Sequence, residues 1–381
     1  MLLKNAQVLN DAFEWIEADL RINGETIGEI APGHDLAPKE GEQVFDLAGC
    51  WVLPGFIDQH IHGCGGAGTE DGTIEALDTM SRYLARQGVT SFCPTTMTLP
   101  EEKIASILST ARQAMEQGLA GAYVQGVNME GPYISPGKKG AQNGDYVRNP
   151  DPEEFERLFA GCGGIIKLVD IAPEQPGAQQ FIEQVKGMCA VSLAHTSASY
   201  EQATASFAQG ISQATHLFNA MTGFTHRAPG AVGAVFDHPS VKAELICDGF
   251  HIHPAALRTA FRLLGEDRTI IVSDSMTAAG CPDGAYDLGG QTVFVKEGKA
   301  LLEDGTIAAS TTNIGQEVRN LLAFGVPFRQ VLKSATINPA RQLGVDHITG
   351  SIKIGKYADL TVTDKNCNPM QVFVKGRPVE M

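Results

Sequence analysis

The chain of 381 residues carries 44 acidic against 29 basic side chains, a formal net charge of −15, and 43% of its residues are hydrophobic. Such a field repels phosphate backbones, which excludes nucleic acid and anionic membranes as partners and obliges any anionic substrate to find a local basic or backbone N–H site. Eight cysteines, Cys50, Cys64, Cys93, Cys162, Cys189, Cys247, Cys281 and Cys367, lack C-x-x-C spacing. With no long apolar run and no apolar signal region behind Met1-Leu2-Leu3-Lys4-Asn5, they read as reduced thiols of a cytoplasmic protein.

Residues 1–50 alternate short strands with turns, as in Asp19-Leu20-Arg21-Ile22-Asn23-Gly24-Glu25-Thr26-Ile27, and residues 351–380 do the same. The termini, 1–52 and 345–381, are therefore expected to pair into one small β-sandwich. Between them, over 53–344, eight β-branched apolar runs recur, with predicted strands at 56–62, 89–96, 122–130, 165–171, 190–195, 211–216, 242–248 and 269–274. Helix-forming segments follow at 73–87, 101–117, 152–160, 178–187, 199–208 and 254–264, with Gly88 and Gly118 just past two of their ends. Eight strand–helix units give an α/β chain whose expected fold is a closed (β/α)8 barrel of the TIM type, with an open doubly wound sheet as the alternative. A β-hairpin inserted at 286–310 turns at Glu303-Asp304-Gly305-Thr306.

Polar residues stand at the C-terminal ends of these strands, the face on which such barrels carry active sites. His60 and His62 close the first strand, Glu130 the third, His195 the fifth, His216 the sixth and Asp274 the eighth. Imidazoles and carboxylates converging on one mouth are the ligands of Zn²⁺ or Fe²⁺. Glu130, His195 and His216 form a three-ligand set with an exchangeable position, and a bridging Glu130 would share a second ion with His60 and His62. Asp274 is the expected general base for a metal-activated water, its alternative being a structural or ligating carboxylate. His251, in Asp248-Gly249-Phe250-His251, is placed to reach a substrate or else to bond a loop backbone. Asn219 and Ala220, with Arg227 beyond, offer amides and a guanidinium to an anion, although Arg227 also suits an ordinary surface position. Lys138, Lys139 and Arg148 flank a loop whose Pro136-Gly137 and Gly140 permit lid motion. His34, His226, His238, His253 and His347 fall outside the pattern and read as structural or solvated.

The segments Pro54-Gly55-Phe56-Ile57-Asp58, Glu130-Gly131-Pro132, Ala194-His195-Thr196, Thr215-His216-Leu217-Phe218-Asn219-Ala220-Met221, Asp248-Gly249-Phe250-His251 and Ser273-Asp274 resemble the amidohydrolase superfamily. Within it they resemble the N-acetylglucosamine-6-phosphate deacetylase family, over nearly the whole chain. The resemblance implies a metal-bearing barrel with a sandwich built from both termini, and hydrolysis of the acetamide of N-acetyl-D-glucosamine 6-phosphate to glucosamine 6-phosphate and acetate, in amino-sugar catabolism and recycling. It implies Zn or Fe, one or two ions per subunit, with Glu130, His195 and His216 on the main ion and Asp274 as acid/base. It also implies a homodimer, with Asn219, Ala220 and a neighbouring subunit's Arg227 on the phosphate and His251 on the sugar. Two features depart from parts of the family. Some members replace the His-x-His pair by amides and use one metal, whereas His60 and His62 permit two. Some place a histidine in the lid to polarise the substrate carbonyl, where this chain has Gln142, which can donate a hydrogen bond but not titrate. The rival readings are an amidohydrolase acting on cyclic amides, of the dihydroorotase or hydantoinase type with Lys167 carbamylated, and a non-catalytic barrel.

Overall fold

One apolar run, Trp51 to Ile61, serves two sheets, and Gly55 divides it. Trp51–Pro54 pairs antiparallel with Leu360–Thr363 in a sheet built from both termini, while Phe56–Ile61 begins the barrel. A Cβ at Gly55 would lie 2.1 Å from Thr90 Oγ1, so only glycine lets the chain pass this close to the second barrel strand.

The computed structural model describes residues 1–381. Eight parallel strands form the barrel: β1 (Phe56–Ile61), β2 (Val89–Thr96), β3 (Val127–Met129), β4 (Ile166–Ile171), β5 (Ala190–Leu193), β6 (Ile211–Ala214), β7 (Lys242–Leu245) and β8 (Thr269–Ile271). They pair in chain order from β1 to β8. Backbone bonds from Asp274 N to His60 O and from His62 N to Ser275 O then join the end of β8 to β1. All residues of β1 and β2 are buried, as expected for parallel strands covered on both faces.

Each strand is followed by a helix: α1 (Ile74–Arg86), α2 (Glu101–Gln117), α3 (Pro152–Gly161), α4 (Ala178–Val185), α5 (Tyr200–Gln209), α6 (Gly230–Asp237), α7 (Pro254–Arg268) and α8 (Ile314–Ala323). Side-chain caps set several starts, including Thr73 on Ala76 N and the Ser199/Gln202 capping box of α5. His253 caps α7 by accepting from Ala255 N, a structural role. A 76-residue apolar cluster fills the barrel and its helix shell, and a separate 14-residue cluster fills the terminal sheet, so each lobe has its own core.

Three differences from the sequence reading have local causes. The run 122–130 is two strands, Tyr123–Val124 and Val127–Met129, interrupted at Gln125-Gly126 where Gly126 adopts φ 159°. Helix α6 carries no amphipathic stripe because Gly230 to Val235 are all buried, so its sequence lacks the 3.6-residue pattern that marks the others. The insertion after β8 has three antiparallel strands, Gly284–Leu288, Gln291–Lys296 and Lys299–Leu301, one more than a hairpin. Its second reversal is a tight turn through Glu297 and Gly298, both at positive φ (52° and 73°).

Candidate active site

Leu193, Ala214 and Ile271 end β5, β6 and β8. Just beyond them His195, His216 and Asp274 stand at φ 42°, 30° and 46°. The left-handed backbone turns each side chain off its strand end and over the barrel mouth, at a cost of about 1–3 kcal/mol per non-glycine residue. Glu130 follows Met129 at the end of β3, and His60 and His62 arrive from β1.

Glu130 Oε1 lies 3.1 Å from His195 Nε2 and 3.0 Å from His216 Nε2, and the two ring nitrogens are 3.2 Å apart. A tetrahedral cation with bonds of about 2.0–2.1 Å separates its ligand atoms by roughly 3.4 Å, so this triangle matches one face of such a centre. His195 Nδ1 donates to the Lys138 carbonyl at 2.8 Å, which leaves the Nε2 lone pair for a metal. His60, His62 and Asp274 form a second group: Asp274 Oδ1 is 3.2 Å from His62 Nε2 and 3.5 Å from His60 Nε2. Glu130 reaches this group too, with Oε2 3.1 Å from His62 Nε2. His60 Nε2 is fully enclosed and has no hydrogen-bond partner. The donor set therefore fits divalent metal, and Glu130 touches both groups.

The electrostatics agree. Burial alone would pull the imidazoles down, but Asp274, Glu130 and Glu244 outweigh it, holding His60 well above its ordinary range, while Asp274 and Glu130 push His62 up to about 10. Burial would raise Glu130, yet the surrounding histidines hold it well below the usual carboxylate range. The pocket thus strongly favours positive charge.

A cavity of about 360 Å³ opens on these groups. Gln142, Asn219, Ala220 and His251 line it, as do Lys138 and, from the insertion region, Leu288, Thr306 and Ile307. Its size suits a small polar metabolite. Gln142 is committed at both ends: Nε2 donates to Glu130 Oε2 at 2.5 Å and Oε1 accepts from Thr98 N at 2.7 Å. His251 Nδ1 pairs with Asp248 Oδ2 at 2.7 Å, so the edge carrying Nε2 is the one left for the cavity. The Ala220 N–H has no partner among the backbone bonds, while its carbonyl accepts from Thr196 N. Arg227 stands apart: it is exposed on the 222–229 loop and lies outside the cavity wall of its own chain.

Sequence reading gave no site role to Lys138, Asp170, Glu244 or Asp58. Lys138, which the sequence places only on the flank of a loop capable of lid motion, lines the cavity and sends its ammonium to Met221 O at 3.3 Å. Arg148 of the same loop pairs with Glu154. Asp170, on β4, groups with His60 and Glu130, whereas Lys167 of the same strand is half-buried and absent from the cavity wall, which argues against a carbamylated lysine at this mouth. Glu244 and Asp58 lie buried beneath the histidines, and burial pushes Asp58 up to about 7 and Asp170 up to about 8. Their signal was a lone acid inside an apolar strand.

Residues 51–379 match the model of the amidohydrolase family. The chain is 37% identical over 356 residues to an N-acetylglucosamine-6-phosphate deacetylase of Bacillus subtilis, covering 92% of this chain and 90% of the relative. It is 36% identical over 328 residues to an N-acetylgalactosamine-6-phosphate deacetylase of Escherichia coli O157:H7, covering 86% and 87%. The crystal structure of N-acetylglucosamine-6-phosphate deacetylase from Pasteurella multocida superposes with a TM-score of 0.93 at 32% identity, covering 100% of this chain and 99% of the other.

Proposed function

From the premise that the chain belongs to the amidohydrolase family, we propose that it hydrolyses the acetamide of N-acetyl-D-glucosamine 6-phosphate to D-glucosamine 6-phosphate and acetate. The observation that carries this reading is the triangle of Glu130, His195 and His216 set beside Asp274 at the floor of a cavity of about 360 Å³. The near-full-length relatives that act on 6-phosphorylated N-acetyl amino sugars support the same substrate class.

In this mechanism Glu130, His195 and His216 would hold a divalent cation, Zn or Fe, and His60 and His62 with Asp274 would offer a second position. When bound, such a cation lowers the pKa of a water to about 7 and draws electron density from a carbonyl. Asp274 takes the proton of the attacking water on its carboxylate and returns it to the amide nitrogen as the C–N bond breaks, so acetate and a free amine leave. His251 orients the sugar through Nε2. Asn219 and the Ala220 N–H receive the phosphate, joined by Arg227 from the second subunit of a homodimer. The exposed loop that carries Arg227, bearing Phe224 at 61% exposure, favours that arrangement. Gln142 holds Glu130 in place.

Acetate release tests the proposal directly. Rapid turnover of N-acetylglucosamine 6-phosphate and much slower turnover of the unphosphorylated sugar are expected; equal rates on both would remove the phosphate assignment. N-acetylgalactosamine 6-phosphate, the C4 epimer named in the Escherichia coli relative, belongs in the same assay, and a higher kcat/KM on it would reassign the sugar while leaving the chemistry intact.

A further inference from the structure

Beneath the first histidine pair lies a carboxylate that the reaction does not touch. Glu244, in the middle of β7, is fully buried. Its Oε1 accepts from Gln59 Nε2 at 2.7 Å and from Gln213 Nε2 at 2.9 Å. Its Oε2 accepts from His216 N at 3.3 Å and faces His60 Nδ1 at 3.0 Å. Gln59 and Gln213 also bond each other, Gln59 Nε2 to Gln213 Oε1 at 2.9 Å, which fixes the orientation of the Gln59 amide.

Three of the four groups around Glu244 are N–H donors that cannot accept. A carboxylate so surrounded acts only as acceptor, so the fourth group, His60 Nδ1, must donate; a lone pair there would face another lone pair at 3.0 Å. With Nδ1 committed to Glu244, Nε2 is the atom that His60 offers to a cation. That atom is the buried one with no hydrogen-bond partner, 3.5 Å from Asp274 Oδ1 and 3.6 Å from Glu130 Oε1. A carboxylate–histidine pair of this kind both orients a ligand and strengthens it. The other ring nitrogens of the cluster are held differently: His195 relies on the Lys138 carbonyl, and His62 Nδ1 has no partner.

We propose that Glu244 is a positioning residue for the second cation: through His60 Nδ1 it fixes the tautomer that makes His60-Ile61-His62 a metal site, without itself touching metal or substrate. The inference rests on the metal-dependent reading above. It also explains why the acid sits inside β7: from there it reaches His60 across the barrel interior, with the glutamine pair of β1 and β6 holding its other oxygen.

The test is Glu244→Gln in the full-length protein. Its carboxamide must either set NH₂ against the glutamine amides or donate to His60 Nδ1, which moves the ring proton to Nε2 and blocks ligation. Zn²⁺ dissociation constants are measured by competition with a chelator of known affinity. We expect wild type to hold two ions and Glu244→Gln to weaken only the weaker one, by about 10–100-fold. A wild type with a single ion, a weaker-site constant within twofold of wild type, or equal weakening of both ions would each overturn the proposal. Long-range ¹H–¹⁵N spectra of zinc-loaded wild type, with His60 assigned from a His60→Gln spectrum, provide a reading that does not depend on the variant folding. A proton on Nδ1 is expected; one on Nε2 would sink the idea. Failure of wild type to release acetate from N-acetylglucosamine 6-phosphate would count against the deacetylase reading alone, because the ion constants and the tautomer are measured without substrate.

Discussion

Asp274→Asn tests proton transfer while leaving the main ion's ligands Glu130, His195 and His216 intact. The exchange preserves side-chain volume, and asparagine tolerates the left-handed φ of 46° about as well as aspartate. The backbone bonds from Asp274 N to His60 O and from Ser310 N to Asp274 O are untouched. Lost are one negative charge 3.2 Å from His62 Nε2 and 3.5 Å from His60 Nε2 and the capacity to carry a proton. General acid–base catalysis contributes about 10²–10⁴ in rate, equivalent to about 2.7–5.4 kcal/mol at 1.36 kcal/mol per tenfold. We therefore expect kcat on N-acetylglucosamine 6-phosphate to fall by at least about a hundredfold. The ion held by Glu130, His195 and His216 should remain, and Tm should move by no more than about 2–4 °C. Acetate release by a coupled assay and metal content by plasma mass spectrometry supply both readouts. A kcat within tenfold of wild type with the metal retained would refute the acid/base role. A fall in kcat matched by loss of the main ion would recast Asp274 as a ligand.

Removing metal with a strong chelator should abolish turnover and lower Tm, and restoring one equivalent of Zn²⁺ or Fe²⁺ should recover turnover and part of the Tm, a second equivalent the rest; turnover that survives metal depletion would rule out the ligand triangle as the catalytic centre. Arg227→Ala should raise KM about 10–100-fold through loss of a charge-assisted contact. Mixing it with Asp274→Asn should restore activity toward about a quarter of wild type if each site borrows its neighbour's arginine, whereas an arginine acting within its own chain gives no recovery. Lys242, on β7, is pulled down to about 8, first by burial and then by Arg341. Because the unfolded state binds the proton that the folded state releases between about pH 8 and 10.5, the cost of this lysine is fully present below pH 8 and fades above it. Lys242→Met should then stabilise the protein by about 1 kcal/mol at pH 7, the nominal shift being discounted for partial exposure, and by less at pH 10. Denaturant melts showing the same gain at both pH values would contradict this.

The parts of the site that sequence exposes are those where a polar residue follows an apolar strand run. His195, His216 and Asp274 are legible because parallel barrels aim one end of every strand at the same mouth. Glu244 and Asp170 are illegible for the converse reason: each sits inside a strand, where an isolated acid reads as a solvated residue until closure turns that face inward. Arg227 is visible as a cation, but nothing in one chain says which cavity it serves. Helix α6 is hidden because a helix buried on all sides has no stripe to read.

These blind spots share a cause with the chemistry. A barrel interior ordinarily selects apolar side chains, yet here Asp58, Glu130, Asp170, Glu244 and Asp274 are all buried around one mouth, and three of the cluster's residues are held at left-handed φ. Neither feature favours folding: buried carboxylates lose hydration, and positive φ costs about 1–3 kcal/mol per residue. Both become useful when a divalent cation arrives, because the charge is then compensated and the left-handed turns have already brought imidazole and carboxylate to ligand spacing. Ordinary folding preferences are violated at these positions because the favourable partner lies outside the chain. The sites where the fold violates its own preferences are accordingly the ones that mark where that partner binds.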